Sequence, residues 1–519
     1  MTRSNLPESW LPRARSAACR LHSRPFPPAP LSRPLAPRCT LWLPACLARA
    51  PASGLSPSPS VQEGRAPAAD ASSAWRRDWD GLRDRLQALQ CHFTWDLDAP
   101  GQLEPEHILL RLAVEIQHTP HNNQATLLAL RAFLCQRLGH YPDALQSLRD
   151  AEEQLRQDFP DGSPARALLI YGNYAWVHYH MGSLDEATCY LERTQAAPLA
   201  PLSTALTAEI SAQKGWSLLA VGFRHGEQAR QCFKEALAQD PGSKELRAGL
   251  ALAIYAAWIH CRDPELKMEA TRQMEEVVQQ QPENHRAKVH LSRLVQEQDQ
   301  QRAEALIAEA VESSSDPEVI RLASFYFLKK NAERSTELLK EAISLDPDYH
   351  LLYHTLARSY REQWKTAEGQ RKEELLQAAI EALEKEVTLY SGGVLSRLQL
   401  AELYGERDPW REEQMYLKLE QEAPGFSLQC RQALCLYFGR FLIYKRRDLE
   451  EAAKKLQAGY TIPIETQERR ECRWRLEIIV HKLQRFNQHE KAVAITHFLQ
   501  EADGGKLAEG VGAAGQGHE

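Results

Sequence analysis

The feature that most constrains this chain is a helical repeat in which small residues and prolines return at regular intervals. From about residue 80, long stretches without Gly or Pro carry apolar residues at i, i+3, i+4 and i+7, which predicts amphipathic helices. Pro241, Pro282, Pro317 and Pro347 follow such stretches and lie 41, 35 and 30 residues apart. Periods of this length are typical of α-solenoids.

The small residues fit the register of tetratricopeptide repeats, whose two helices cross at about positions 8, 20 and 27 and are followed by proline at about position 32. Helices that approach to about 8–10 Å need small side chains where they cross. The series predicts an all-α tetratricopeptide-repeat solenoid, coiled into a superhelix over residues 76–485, in which each repeat is stabilised by its neighbours. The clearest unit contains Val319, Ala323, Tyr326, Leu339, Ala342 and Pro347. Other units are marked by Ala132, Ala144, Ala151, Ala175, Ala187, Ala229, Ala236, Ala270, Ala303, Ala310, Ala357, Ala379, Ala401 and Ala452.

Both ends of the chain differ from this pattern. Residues 1–75 are rich in Pro, Ala, Ser and Arg, and they predict a disordered extension because they cannot bury enough apolar surface to offset the entropy lost on folding. Nine arginines against three acidic residues there also resemble a mitochondrial targeting segment, which the prolines at 25–34 disfavour. Residues 486–519 are expected to hold a remnant of a terminal helix and a disordered Gly-rich tail.

Motifs for catalysis, cofactors and metals are missing from the sequence. It has no G-x-x-x-x-G-K, G-x-G-x-x-G, H-E-x-x-H or G-x-S-x-G pattern. The 11 cysteines form no C-x-x-C pair, which favours reduced thiols over a zinc site or a disulfide framework. No apolar run approaches the roughly 18 residues of a membrane span. We therefore expect a cytosolic protein that is not an enzyme and that uses no metal or cofactor.

Charge also restricts the function. After residue 75 the chain carries 54 basic and 66 acidic residues, so it lacks the overall basic charge of many nucleic-acid binders.

Three local expectations follow from the repeat. In "YGNYAWVHYHMG" at 171–182, Ala175 and Gly182 mark the first helix of a repeat, so its aromatic residues are expected to pack in the core, and His178 and His180 to point to different faces. The charged insertion "KTAEGQRKEE" at 365–374 is expected to be a solvated loop between two helices.

Four stretches together resemble one known family. They are "CHFTWDL" at 91–97, "YGNYAWVHYHMG" at 171–182, "GWSLL" at 215–219 and "YFGRF" at 437–441. In order and separation they are similar to the interferon-induced proteins with tetratricopeptide repeats, over about residues 80–485. The resemblance implies a cytosolic, interferon-induced antiviral effector of innate immunity. It further implies a closed superhelix whose inner tunnel binds the 5′ ends of single-stranded viral RNA, with a triphosphate or an incomplete cap, and blocks translation.

The same resemblance implies partners and contact residues. The partners would be RNA rather than DNA, and related repeat proteins in homo- or hetero-oligomers, without a membrane. Arg111 and Arg321 would contact phosphate, and Trp216 and Leu219 would lie against a sugar or base. Two alternatives stay open: packing of Trp216 between helices, and salt bridges from the two arginines to glutamates. The implied RNA-binding residues are Arg111, Trp216, Leu219, Asn284, Lys288, Arg321 and His354.

Several positions depart from the family pattern. A lysine and an arginine expected for phosphate are Ala220 and Ala256, which removes two charge-assisted contacts of about 1.5–3 kcal/mol each. A glutamine is replaced by Glu115, whose carboxylate would repel phosphate without a cation beside it. A repeat expected in the family is missing or degraded after about Lys482. Further departures are Gly226, Leu322 and Thr355.

These departures favour a second hypothesis, in which the chain does not bind RNA. It would instead be a tetratricopeptide scaffold that partners related repeat proteins or innate-immune signalling adaptors.

Overall fold

The computed structural model describes residues 79–97, 103–118, 123–196 and 204–512. Within these ranges the chain is helical and contains no strand, which confirms the all-α prediction. The extension predicted over residues 1–75, and residues 513–519 of the predicted tail, lie outside the described part of the chain.

The helices follow one another with short connections. Helix α1 covers residues 79–87. The next ten are α2 (Pro105–His118), α3 (Gln124–Arg137), α4 (Tyr141–Asp158), α5 (Pro164–Met181), α6 (Leu184–Ala196), α7 (Thr204–Val221), α8 (Gly226–Gln239), α9 (Lys244–Cys261), α10 (Pro264–Gln280) and α11 (His285–Val295). The remainder are α12 (Gln300–Ser313), α13 (Pro317–Phe327), α14 (Ala332–Leu345), α15 (His350–Trp364), α16 (Gly369–Leu389), α17 (Val394–Tyr404), α18 (Pro409–Glu422), α19 (Leu428–Phe441), α20 (Leu449–Thr461), α21 (Gln467–Arg485) and α22 (His489–Gly512). Short 3₁₀ turns cover His92–Thr94, Phe223–His225 and Ala423–Gly425, and a π turn covers Leu442–Arg446.

From α3 to α22 the described helices pack as ten successive pairs, each an odd-numbered first helix and an even-numbered second helix. First helices also contact the first helix of the next pair along most of the array, and second helices make no contact of similar extent with each other. The array therefore curves toward its first helices. We call the surface that they form with α2 the inner face.

Small residues at the helix crossings confirm the predicted register. Ala132, Ala175, Ala323 and Ala357 on first helices are completely buried, as are the corresponding alanines of second helices. The stretch at 171–182 forms the end of α5 and its cap, where Gly182 has the left-handed φ of 81° that favours glycine. Its aromatic side chains pack as expected: Trp176 and Tyr179 are buried, and His178 and His180 stack on different neighbours.

Helix α2 belongs to no pair and crosses the inner face. It buries Ile108, Leu112 and Val114, and its polar side chains reach helices that are far apart in sequence. Because the contacts follow one another along α2, this helix joins the first half of the array to the second. The contacts of α2, and of Glu104 directly before it, are Ser427 Oγ with Glu104 Oε1 (3.0 Å), the His107 ring with the His350 ring (5.4 Å between centroids), Arg111 Nη2 with Ala220 O (3.5 Å), Glu115 Oε1 with Arg286 Nη1 (3.0 Å) and His118 Nε2 with Asp346 Oδ2 (3.1 Å).

The C-terminal end of the described chain is a packed helix pair. Leu476 and Ile479 of α21 share a core with Ile495 and Leu499 of α22. Helix α22 lies in the segment that was predicted to hold a remnant of a terminal helix, and it packs on the last helix of the predicted superhelix.

The charged insertion at 365–374 was predicted to be a loop, and this was wrong for its second half. Helix α16 begins at Gly369, so residues 369–374 are helical. The physical reason is composition: Gln, Arg, Lys and Glu are good helix formers, and Gln370 Nε2 bonds Glu374 Oε1 one turn later at 3.0 Å.

Candidate nucleic-acid interface

Cationic side chains from several helices converge on the inner face around His107 of α2. Burial, together with repulsion of the protonated ring by Arg111, Arg321 and His354, lowers the pKa of His107 to about 4. Burial and the same group of neighbours lower the pKa of His350, on α15, to about 3. Both imidazoles are therefore neutral at pH 7, and the arginines supply the positive charge of this site.

Arg111 lies at the centre of this group and is half-buried. Its Nη2 donates to the Ala220 carbonyl at 3.5 Å. Among the described residues no carboxylate lies within salt-bridge distance of Arg111. The expected alternative, a salt bridge from Arg111 to a glutamate, is therefore not formed there. Its charge is available to an anion on the inner face.

Arg321 has the opposite environment. Its Nε and Nη2 donate to the two carboxylate oxygens of Glu318 at 2.6 and 2.7 Å, a bidentate pair. Burial alone would raise the pKa of Glu318, but Arg321 and Arg286 outweigh it and hold the pKa at about 2. The Tyr349 hydroxyl donates to the same carboxylate at 2.7 Å. Arg321 therefore forms a salt bridge to a glutamate, which was one of the two roles left open for it in the sequence analysis.

Glu115, which replaces an expected glutamine, is also paired. Arg286 Nη1 lies 3.0 Å from its carboxylate, and Arg286 Nη2 lies 3.7 Å from Asp316. The Glu115 carboxylate was expected to repel phosphate unless a cation lay beside it. Arg286 of α11 is that cation. Arg286 was missed from the sequence because 171 residues separate it from Glu115.

Asn284 and Lys288 have structural partners. The Asn284 Oδ1 caps α11 by accepting from the Ala287 nitrogen at 3.0 Å. Lys288 is only 2% exposed, and its Nζ lies 2.5 Å from Glu309 on the second helix α12. The structure therefore directs Lys288 toward α12 and away from the inner face.

Lys288→Met is accordingly expected to leave RNA affinity within about twofold of the original protein, since Nζ is held by Glu309. Because the Glu309 side chain is 58% exposed, loss of the Lys288 charge leaves no buried carboxylate unpaired, and stability should change by less than about 1 kcal/mol. A fluorescence-anisotropy titration with single-stranded RNA, beside a thermal melt, measures both quantities. A tenfold loss of affinity in a protein with unchanged melting would place Lys288 at the RNA.

Trp216 and Leu219, both on α7, pack in the core near Arg111. The Trp216 ring meets the Phe233 ring edge-on at 5.0 Å between centroids, and Leu219 is buried. The packing alternative for Trp216 is thus present. Its buried Nε1 has no hydrogen-bond partner among the described residues, so one donor remains for a ligand.

His354 is fixed from the side opposite α2. Its Nδ1 lies 3.1 Å from the Glu386 carboxylate and 3.3 Å from the Ser396 hydroxyl. Hydrogen bonds in the described part of the chain reach its Nδ1 alone, so the orientation of the ring is set and Nε2 is left for the site.

Two departures from the family pattern form a single packing arrangement. Ala256 is completely buried, and a Cβ added to Gly226 would lie 2.9 Å from the Ala256 Cβ and 2.4 Å from the Ala257 nitrogen. A larger residue at either position would separate α8 from α9. Ala256 therefore lies in a helix contact, and an arginine at this position would not reach the inner face.

Arg358 is a site residue that the sequence reasoning missed. It is exposed on α15, one turn after His354, and it has no carboxylate within salt-bridge distance in the described ranges. The Phe325 ring lies within 5.3 Å of the Arg321 guanidinium and 5.5 Å of the Arg358 guanidinium. Partial desolvation and repulsion from neighbouring arginines that include Arg293 lower the pKa of Arg358, and the Glu362 carboxylate opposes this shift. The spacing of four residues from His354 was a signal that could have identified it.

Two classes of site are not found among the described residues. No described helix is both long enough and apolar enough to span a bilayer. No three or more His, Cys, Asp and Glu side chains in the described part of the chain are placed to hold a metal ion.

Comparison with known proteins gives a consistent result, although no family model matches the chain. The chain is 27% identical over 440 residues to interferon-induced protein with tetratricopeptide repeats 2 of Cricetulus griseus, covering 81% of this chain and 91% of that protein. It is 29% identical over 387 residues to the antiviral innate immune response effector IFIT1 of Homo sapiens, covering 70% and 80%.

Solved structures agree with these relatives. The human IFIT1 dimer with PPP-AAAA superposes with a TM-score of 0.62, and the human IFIT1 dimer with m7Gppp-AAAA with 0.64. Each is 26% identical, and each match covers 82% of this chain and 96% of the other. In sequence and in fold, over most of its length, the chain is similar to the interferon-induced proteins with tetratricopeptide repeats.

Proposed function

We propose that this chain is an interferon-induced antiviral effector of innate immunity that binds single-stranded viral RNA on its inner face. The RNA would carry a 5′ triphosphate or an incomplete cap, and binding in the cytoplasm would inhibit its translation without any catalytic step. Support comes from the relatives, one of which is named an antiviral innate immune response effector. The solved human relative holds PPP-AAAA in one structure and m7Gppp-AAAA in another.

The observation that carries the proposal is the positive charge without partners on the inner face. Arg111 and Arg358 have no carboxylate within salt-bridge distance in the described ranges, although the chain as a whole has a net charge of -6. Phosphates bind such cations and release counterions. Phe325, between two guanidiniums, adds a ring on which a base can stack.

The affinity for a 5′ triphosphate is expected to be lower than in a protein that has the lysine and the arginine of the family pattern. Ala220 and Ala256 supply no charge, and Arg321 is neutralised by its bidentate bond to Glu318. Arg111 is left as the main phosphate contact next to α2. We therefore expect 5′-triphosphate RNA to bind about tenfold or less more tightly than 5′-hydroxyl RNA, the difference that one charge-assisted hydrogen bond brings.

The charge of this interface gives a direct test. Arg111→Gln with Arg358→Gln is expected to weaken RNA binding about tenfold or more, because two phosphate contacts are lost. Each phosphate contact on a single strand contributes about 0.7 to the slope of log K against log salt. Loss of two contacts should therefore reduce the magnitude of this slope by about 1.4. Anisotropy titrations over a range of salt concentrations, with triphosphate, capped and 5′-hydroxyl RNA, measure both values.

Arg156→Gln is the matched control, because Arg156 is an exposed arginine on the second helix α4 and its side chain is 72% exposed. Its affinity and its salt slope should match those of the original protein. RNA binding that does not respond to salt, or that survives loss of both inner arginines, would contradict the proposal.

A scaffold that partners related repeat proteins is the second candidate, and it has a specific observation in its favour. Glu402 accepts from Arg361 and from Arg440 at 2.6 Å each, so part of the inner face is neutralised within the chain. Sedimentation of the chain, alone and with a related repeat protein, would detect such assembly. A stable complex from a protein that shows no RNA binding would favour the scaffold.

A further inference from the structure

Exposed aromatic and basic side chains form a group on the π turn after α19 and on the first helix α21. Tyr444 is 49% exposed and Trp474 is 50% exposed. The Arg475 guanidinium lies between them, 4.7 Å from the Trp474 ring centroid and 5.4 Å from the Tyr444 ring centroid. Arg475 Nη1 also donates to the Tyr444 hydroxyl at 2.5 Å. We call these three residues the aromatic platform.

The platform is rigid, which makes it suited to stacking. Arg475 is held by both rings, and its own side chain is only 14% exposed. The Lys482 ammonium lies 5.1 Å from the Tyr444 ring centroid. Two large rings are thus held in place by cations and still present half of their surface to solvent.

The charge around the platform is strongly positive in an otherwise acidic chain. Helix α21 carries six basic and three acidic residues, and residues 440–447 carry four basic and no acidic residues. Several of these cations have carboxylate partners: Arg473 with Asp503 at 2.9 Å, Lys445 with Glu412 at 2.7 Å, Arg446 with Glu413 at 3.3 Å and Arg475 with Glu471 at 4.0 Å. In the described ranges, Lys482 and Arg485 have no carboxylate within salt-bridge distance.

Other rings and cations lie on the first helices that precede the platform. The Phe325 ring lies 5.3 Å from the Arg321 guanidinium and 5.5 Å from the Arg358 guanidinium, and the Tyr437 ring lies 5.2 Å from the Arg440 guanidinium. Arg440 is paired with Glu402, so Arg358 is the cation of this group whose charge is open to a phosphate. Rings beside cations suit a single strand, in which bases and phosphates alternate.

We propose that Tyr444 and Trp474 stack on bases of the RNA downstream of the end held at α2. This inference rests on the proposed function and adds a second contact to it. A protein partner is less well matched, since interface aromatic residues are typically enclosed in a desolvated, well-packed pocket. The rings here are instead half exposed and have cations beside them, which is the composition of single-strand binding grooves.

RNA length separates the two contacts. Tyr444→Ala with Trp474→Ala is expected to weaken binding of a 20-nucleotide single-stranded RNA about tenfold or more, the loss that removal of a stacked base brings. Binding of a four-nucleotide 5′-triphosphate RNA should stay within about twofold, because it fills only the site at α2. Trp474→Phe should retain most of the affinity for the long RNA, since it keeps a ring. Anisotropy with both RNAs, labelled at the 3′ end, measures these values.

Trp410→Ala is the matched control, because Trp410 is 68% exposed on the second helix α18. Thermal melts of all variants exclude loss of fold. Unchanged affinity of the double variant for the long RNA would overturn the platform and leave the proposed function intact. Loss of affinity for both lengths in the double variant, or altered sedimentation without altered RNA affinity, would overturn it as well. If the original protein binds neither RNA, the platform and the proposed function fail together.

Discussion

Ala256→Arg is expected to destabilise the protein by about 3–5 kcal/mol rather than to create a phosphate contact. The sequence comparison suggests the opposite, because the family pattern has an arginine at this position. Ala256 is completely buried, and it lies against Gly226 at the start of α8. A guanidinium there would force α8 from α9 and would be buried without a carboxylate. Urea denaturation followed by circular dichroism measures the change in the free energy of unfolding.

Ala308→Arg is the control for this prediction, because Ala308 is exposed in the middle of α12. The same substitution at that position should change stability by less than about 0.5 kcal/mol. If Ala256→Arg were as stable as the original protein and bound 5′-triphosphate RNA more tightly, the assignment of Ala256 to the contact between α8 and α9 would be wrong.

The architecture could be predicted because its determinants are local. Each repeat needs a small residue where its two helices cross, and that requirement returns in the sequence whenever the geometry returns. The sequence therefore predicts Ala132, Ala323 and Ala357 at helix crossings, and all three are completely buried. Solenoid packing involves only neighbouring units, so no long-range information was needed.

The electrostatics of the candidate site could not be predicted in the same way. Glu115 pairs with a residue 171 positions later, and His118 with one 228 positions later. These pairs exist because α2 leaves the repeat pattern and crosses the inner face, and nothing in its sequence specifies which helices it meets. The neutralisation of Arg321 by Glu318, one turn earlier on the same helix, was in contrast visible as an i,i+3 pair.

Residues taken from the family pattern needed the structure for a different reason. Lys288 has the expected charge, but its side chain reaches Glu309 instead of the inner face. Ala256 and Gly226 both depart from the pattern, and together they form one close contact. The residue type at a single position is therefore not enough to predict a role in the site. The residues that it packs against must be known as well.

Acid is expected to weaken the fold steeply between about pH 6.5 and pH 4, because four buried histidines must stay neutral in the folded protein. Burial lowers the pKa of His92, His290 and His350 to about 3, and that of His107 to about 4. The unfolded chain binds protons near pH 6.5, where the folded protein does not. Stability is therefore complete above pH 6.5 and is lost as the pH falls toward the folded pKa values.

Each of these histidines is expected to contribute a slope of about 1.4 kcal/mol per pH unit within this window, so the four together give about 5 kcal/mol per unit. Hydrogen exchange is the suitable measurement, since it reads the opening of each helix separately in a repeat array. His350→Leu offers the sharpest comparison, because both ring nitrogens of His350 are buried without a hydrogen-bond partner. The variant should match the original protein at pH 7.5 and exceed it in stability around α15 at pH 5. Equal protection of the two proteins at pH 5 would show that His350 is protonated in the folded state, and the predicted acid sensitivity would then have a different source.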